Sequence, residues 1–140
     1  MSCNNEIIIN RIVHFEIQVD EPERAIEFYT KIFGWKIDAW PGLGTDYWVV
    51  MTADKDSKEP GINGGLLRRP VATPPGQCGT NSYVCTIQVD DFDATAEKIL
   101  AAGGVVALPK FSLADMAWQG YFLDTEGNTF GLHQVLSAVK

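Results

Sequence analysis

Ile17-Gln18-Val19-Asp20 and Ile87-Gln88-Val89-Asp90 repeat the same four residues at an offset of 70 in a chain of 140. Further identities keep this register or fall within four residues of it: Glu27 with Glu97, Gly34 with Gly104, and Gly65-Leu66 with Gly131-Leu132. Self-similarity at half the chain length predicts one structural unit that occurs twice. The stretch 69–80 between the two copies is rich in Pro and Gly, which is typical of a linker.

Each copy shows the same order of predicted elements. In the first, alternation over 13–19 predicts a strand, and an apolar stripe at helical spacing predicts a helix that Asp20 caps and Gly34 ends. The strands predicted after the two helices are Trp35–Trp40, Tyr47–Thr52, Ile62–Arg68, Val105–Pro109, Trp118–Leu123 and Thr129–Leu136. We therefore predict an α+β fold of two tandem βαβββ modules, about residues 11–68 and 81–136, within a single domain spanning 1–140.

Composition and charge exclude several classes of function. Hydrophobic residues make up 46% of the chain and charged residues 21%, which are values of a globular domain. Net charge is −7 and the only basic cluster is Arg68-Arg69, so we predict no nucleic-acid partner and no membrane partner. Three cysteines (Cys3, Cys78 and Cys85) without CxxC spacing, and no signal pattern in Met1–Asn10, predict a cytoplasmic protein.

Three segments carry a resemblance to a known family: Ile12-Val13-His14-Phe15-Glu16-Ile17-Gln18-Val19, then Ala25 to Trp35 with Phe33-Gly34-Trp35 at its end, and Tyr121 to Leu132. They resemble the vicinal oxygen chelate superfamily, and its glyoxalase-like branch most closely. The superfamily includes glyoxalase I, extradiol dioxygenases, fosfomycin-modifying enzymes and bleomycin-binding resistance proteins. The resemblance implies modules that curve into a cup-like mixed sheet with helices outside, and pairing of two chains as a homodimer.

The resemblance also implies four metal-ligand positions, which in this sequence hold His14, Gly65, Val84 and Gly131. Only histidine among these has a donor atom, whereas a stable site needs three or four. We therefore expect no standard four-ligand metal site and predict no cofactor. Genuine glyoxalase I activity, which depends on that metal, is not expected.

A reduced metal site remains as an alternative. In a strand, residues i and i+2 share a face, so Glu16 lies beside His14 and His133 beside Gly131. Two imidazoles and a carboxylate have the composition of a facial triad for a divalent metal. The same residues offer catalytic candidates without a metal: Glu16 as a base acting with His14, and Tyr121 as an acid.

Alternation also predicts which residues line the cup as a small-molecule site. The candidate ligand-binding residues are His14, Glu16, Gln18, Asn63, Gly65, Thr86, Gln88, Gly131 and His133. Three functions stay open: a binder of a small organic molecule; a divalent-metal-dependent lyase, isomerase or dioxygenase using His14, Glu16 and His133; and a metal-free acid–base enzyme.

Overall fold

The computed structural model describes residues 10–41, 46–69 and 83–136, and it contains the βαβββ unit twice. The first module consists of β1 (Phe15–Val19), α1 (Pro22–Phe33), β2 (Lys36–Ala39), β3 (Tyr47–Met51) and β4 (Gly64–Arg68). The second consists of β5 (Thr86–Gln88), α2 (Phe92–Ala101), β6 (Val105–Leu113), β7 (Ala117–Leu123) and β8 (Thr129–Val135). The predicted fold class and order of elements are confirmed. Most of the predicted linker lies outside the described residues.

Each module forms its own four-stranded mixed sheet. The strand orders are β1-β4-β3-β2 and β5-β8-β7-β6, and in each sheet the first strand runs parallel to the last while the other pairs are antiparallel. A parallel pair needs a crossover connection, which the helix and two further strands supply. The register pairs Glu16 with Gly65 in one sheet and Thr86 with Gly131 in the other, so the two glycines occupy equivalent places.

Helix α1 ends where the sequence predicts but starts differently. Gly34 adopts a left-handed conformation with φ 72°, and its N–H donates to the carbonyl of Thr30. The predicted Asp20 cap is wrong, because the N-cap residue is Glu21 and it makes no side-chain capping bond. The backbone amides of Asp20 and Glu21 instead donate to Glu126 Oε1 of the second module, each at 3.0 Å.

The two modules share a hydrophobic core built around their helices. Phe28 and Tyr29 of α1 each lie 6.2 Å from Phe130 of β8, measured between ring centroids. Phe92 and Ile99 of α2 belong to the same buried cluster. Helix α1 contacts α2, and within the described ranges no strand of one sheet pairs with a strand of the other. The modules therefore meet through their helices, through Phe130 of β8 and through the bonds to Glu126, and not through a continuous sheet. Neither described helix is long and apolar enough to cross a membrane.

Strand β6 runs four residues beyond its predicted end at Pro109. Proline removes a ladder hydrogen bond, and for that reason the sequence predicts a stop there. Because β6 is an edge strand, the missing donor costs little, and the pairing with β7 shifts register between Leu108 and Phe111. The first strands of both modules are shorter than the strands that alternation predicts over 13–19 and 83–89: Val13 and Val84 lie outside them and are 74% and 41% exposed.

Candidate functional site

Three polar side chains of the first module form a hydrogen-bonded group, the His14–Tyr47–Glu16 trio. The Tyr47 hydroxyl donates to Glu16 Oε2 at 2.8 Å, and His14 Nε2 lies 3.1 Å from the same hydroxyl oxygen. Because the phenol has one proton and gives it to Glu16, the histidine Nε2–H is the donor to the phenol oxygen. His14 Nε2 and Glu16 Oε2 are 3.5 Å apart. The trio therefore joins the chain just before β1, β1 itself and the start of β3.

The phenol of Tyr47 lies over Gly65. A Cβ atom built on that glycine would collide with the Tyr47 hydroxyl and ring, so only glycine leaves room for the phenol. Burial, followed by the hydrogen bond to Glu16, raises the pKa of Tyr47 to about 12. At neutral pH this phenol is protonated and acts as a hydrogen-bond donor.

Beside the trio lies an open hollow of about 400 Å³. It is lined by Val13, His14, Trp40, Tyr47, Val49, Asn63 and Gly64. Trp40 is half-exposed, which leaves an indole surface available to a bound molecule. Asn63 lines the hollow as a predicted binding residue, but its side-chain oxygen also accepts from the backbone amide of Thr52 at 2.8 Å. The hollow thus combines apolar walls with a few fixed polar groups, as small-molecule sites do.

An equivalent but chemically different group lies on the second sheet, the Gln119–His133 pair. His133 Nδ1 and Gln119 Oε1 are 2.7 Å apart, and Gln119 is only 6% exposed. Gln119 of β7 pairs with His133 of β8, and Tyr47 of β3 pairs with Leu67 of β4. In each case the paired residue of the last strand lies two positions after the glycine, Gly131 or Gly65. A Cβ on Gly131 would lie 2.6 Å from Thr86 Oγ1 and 3.1 Å from Gln119 Nε2. Here too a polar side chain lies over a glycine.

The predicted binding residues accordingly divide between two sheets. His14, Glu16 and Gly65 come together in the first module, and Thr86, Gly131 and His133 in the second. At the ends of β1 and β5, Gln18 and Gln88 are exposed, with no side-chain hydrogen bond to a described residue. Tyr121 is half-buried and faces Gly131 across β7 and β8.

Tyr47 and Gln119 are the functional candidates that the sequence did not single out. Each lies on a strand next to the one that carries the glycine, opposite the residue two positions after it. Finding them therefore requires the register of β3 against β4 and of β7 against β8.

The side chains present do not fit the family's four-ligand metal site. Among the described residues, no group of three or more His, Cys, Asp or Glu side chains is placed to hold a metal ion. At two of the four positions the glycines are covered by Tyr47 and Gln119, and the one histidine is engaged by the phenol. The reduced site is likewise not assembled within the described part of one chain, since His133 is bonded to Gln119 on the other sheet.

Comparison with known proteins places this arrangement in a family. Residues 11–132 match the family model described as the Glyoxalase/Bleomycin resistance protein/Dioxygenase superfamily. The chain belongs to this superfamily. A glyoxylase-like domain-containing protein of Didymella fabae is 31% identical over 131 residues, which cover 90% of this chain and 94% of that protein. CFP32 of Mycobacterium bovis, named as a candidate glyoxylase, is 29% identical over 85% of this chain. This chain spans only 43% of the length of CFP32.

Solved structures of the superfamily share the fold at low sequence identity. The fosfomycin resistance protein FosX of Listeria monocytogenes matches with a TM-score of 0.66 and 16% identity, over 91% of this chain and 94% of that one. TnmS3, an antibiotic binding protein of a Streptomyces species, matches with a TM-score of 0.60 and 24% identity, over 93% and 99%. A fosfomycin resistance protein and an antibiotic binding protein thus share this architecture, so the fold alone does not determine the function.

Proposed function

We propose that this protein binds a small organic molecule on the polar faces of its two sheets, without the standard four-ligand metal site. The observation that carries the proposal is the Tyr47 phenol, which lies over Gly65 where the family's second metal ligand would stand and borders the hollow of the first module. A hydrogen-bonding phenol there serves to orient a ligand. That TnmS3 is an antibiotic binding protein supports a binding role on this fold.

The trio favours a ligand that presents a positively charged or strongly donating group. Glu16 accepts from Tyr47 through Oε2, whereas Oε1 has no hydrogen-bond partner among the described residues. An ammonium group would donate to that oxygen, and the half-exposed indole of Trp40 would cover an apolar or aromatic body. The net charge of −7 attracts such a cation over a longer range.

We further propose that a second copy of the chain completes the site in a homodimer. Among the described residues, only the first module lines the hollow, and no strand of its sheet pairs with a strand of the second module. A partner's second module would close the cup. Sedimentation at micromolar concentration should show a species of twice 15.4 kDa. A single 15.4 kDa species would contradict this part of the proposal.

Ligand binding is tested by titrating the protein with phenethylamine, an aromatic amine, while NMR follows the side-chain signals of His14 and the tryptophans. We expect saturable shifts, and about tenfold weaker binding in Tyr47→Phe and Glu16→Gln, since each removes one hydrogen bond to or within the trio. Tyr83→Phe is the matched control, because Tyr83 is 84% exposed. Equal affinities in Tyr47→Phe, Glu16→Gln and the control would reject the proposal.

Metal-free acid–base chemistry is the second candidate, and the trio is the observation that favours it. A protonated phenol and a carboxylate 2.8 Å apart provide an acid and a base side by side. If the chain acts this way, a bound molecule with an acidic C–H should exchange it for deuterium in heavy water. Glu16→Gln should abolish that exchange, and exchange that persists in Glu16→Gln would exclude the role.

A further inference from the structure

A buried amide on the second module is only half satisfied by the protein. Gln119 is 6% exposed, and of its two polar atoms the oxygen lies 2.7 Å from His133 Nδ1. Within the described ranges no side chain or backbone group bonds its nitrogen, which lies over Gly131, 3.1 Å from where a Cβ on that residue would stand. Burying an amide nitrogen that has no hydrogen-bond partner costs desolvation free energy that no hydrogen bond offsets. A hydrogen-bond acceptor from outside the chain would offset this cost.

The Gln119–His133 pair presents one donor and one acceptor. With Nδ1–H donating to the glutamine oxygen, the glutamine nitrogen is left as a donor and the neutral histidine Nε2 as an acceptor. If the glutamine amide is turned around, its nitrogen donates to Nδ1, its oxygen becomes the acceptor and the histidine Nε2–H the donor. Either arrangement complements a group that carries a donor and an acceptor on one edge.

The surroundings of the pair suit a flat, mostly apolar body. Phe111 faces Gln119 across β6 and β7, and Tyr121 faces Gly131 across β7 and β8, so both rings share the face of the pair. Leu108 faces Tyr121 and is 48% exposed. Gly131 lies beneath the pair, and Thr86 Oγ1, Gln119 Nε2 and Tyr121 Cε2 cover its backbone.

We infer that the second module binds the amide edge of a planar ring, such as a lactam, an imide or a pyrimidinedione. The N–H of the ring pairs with one member of the Gln119–His133 pair and its carbonyl with the other, while Phe111 and Tyr121 cover the ring. This inference deepens the proposed binding function and rests on it. It assigns to the second module a ligand group different from the cation assigned to the first.

Two probes of nearly equal size test the inference: 2-pyridone, which has the amide edge, and N-methyl-2-pyridone, in which the donor is blocked. Titrations of the unsubstituted protein are followed on the ring nitrogens of His133; comparison with His14→Ala, where His133 is the only histidine left, tells its signals from those of His14. We expect 2-pyridone to shift these signals and to bind about tenfold more tightly than the methylated probe. Gln119→Leu should remove this preference, whereas Glu97→Gln, on the exposed side of α2, should keep it.

Equal binding of the two probes to the unsubstituted protein would overturn the inference, and this comparison needs no variant to fold. A tenfold preference that persists in Gln119→Leu would overturn it as well. Signals of His133 that do not move with either probe would mean that water satisfies the amide. If phenethylamine still shifts His14 in that case, the proposed binding function survives and only the amide-edge inference fails.

Discussion

Replacing Glu126 by Gln should destabilise the protein, because this carboxylate joins the two modules. Its side chain is fully buried. Oxygen Oε1 accepts from the amides of Asp20 and Glu21, and Oε2 accepts from Arg24 Nε at 2.7 Å and from the Thr125 hydroxyl at 2.8 Å. Glutamine has nearly the same size as glutamate and keeps one of its two acceptor oxygens. It replaces the other acceptor with an N–H₂ group that faces a guanidinium donor.

The magnitude follows from the pKa of Glu126. Burial opposes ionisation, but the hydrogen bonds from Arg24, the Glu21 amide and Thr125 outweigh it and lower the pKa from 4.5 to about 2. At about 1.4 kcal/mol per pKa unit, the charged form would contribute about 3 kcal/mol. Because the Arg24 side chain is 51% exposed, solvent screens its part. We therefore expect a loss of about 2 kcal/mol, or about 5–8 °C in Tm.

The pH dependence has a definite sign. A carboxylate whose pKa is lower in the folded state stabilises the fold fully above its unfolded pKa near 4.5. That contribution disappears as the pH falls toward 2, and less than about half of it remains at pH 3. The difference in stability between the unsubstituted protein and Glu126→Gln should therefore shrink from pH 7 to pH 3.

Urea unfolding at pH 7 and pH 3 measures this difference. Glu23→Gln is the matched control, because Glu23 is an exposed acid in the first turn of α1 and should cost about 0.5 kcal/mol or less. The reasoning would be refuted if Glu126→Gln were no less stable than Glu23→Gln at pH 7. A difference that stayed constant down to pH 3 would refute the assignment of the effect to the charge.

Two further predictions concern the trio. Tyr47→Phe should remove one ionising phenol near pH 12 from an absorbance titration made by rapid pH jump, and a lost component near pH 10 would contradict the raised pKa. Gly65→Ala should cost about 1–3 kcal/mol in urea unfolding, because the new methyl group must displace the Tyr47 phenol. Unchanged stability in Gly65→Ala would show that the phenol does not depend on the glycine surface.

The sequence predicts what is local and periodic. The apolar spacing and Gly34 define the end of α1 correctly, because a helix ends where its own backbone turns left-handed. The start of α1 is different, since the amides of Asp20 and Glu21 just before it bond to Glu126, which lies 106 residues from Asp20 and belongs to the other module. Because Glu126 lies in the turn between β7 and β8, the residues near α1 do not predict this interaction.

The sequence predicts which face of its strand a site residue occupies, but not which residues of other strands lie next to it. Alternation places Glu16 on the polar side of β1, and the structure agrees. It does not tell which residue of another strand will lie over Gly65, because that depends on the register of β3 against β4 across a long connection. Tyr47 and Gln119 therefore emerge only from the structure. The absence of ligand atoms at Gly65 and Gly131, by contrast, is evident in the sequence itself.

The two modules use one backbone arrangement with different side chains. In each, a polar side chain of the neighbouring strand covers a glycine of the last strand. That side chain belongs to the residue two positions before the one that pairs with the glycine. The first module places a phenol next to a carboxylate, and the second an amide next to an imidazole. In the proposed homodimer these unlike surfaces face one cup, so a ligand with a cationic end and an amide edge would have only one favourable orientation. Such a molecule should bind more tightly than either part alone, because the second contact becomes intramolecular once the first is made.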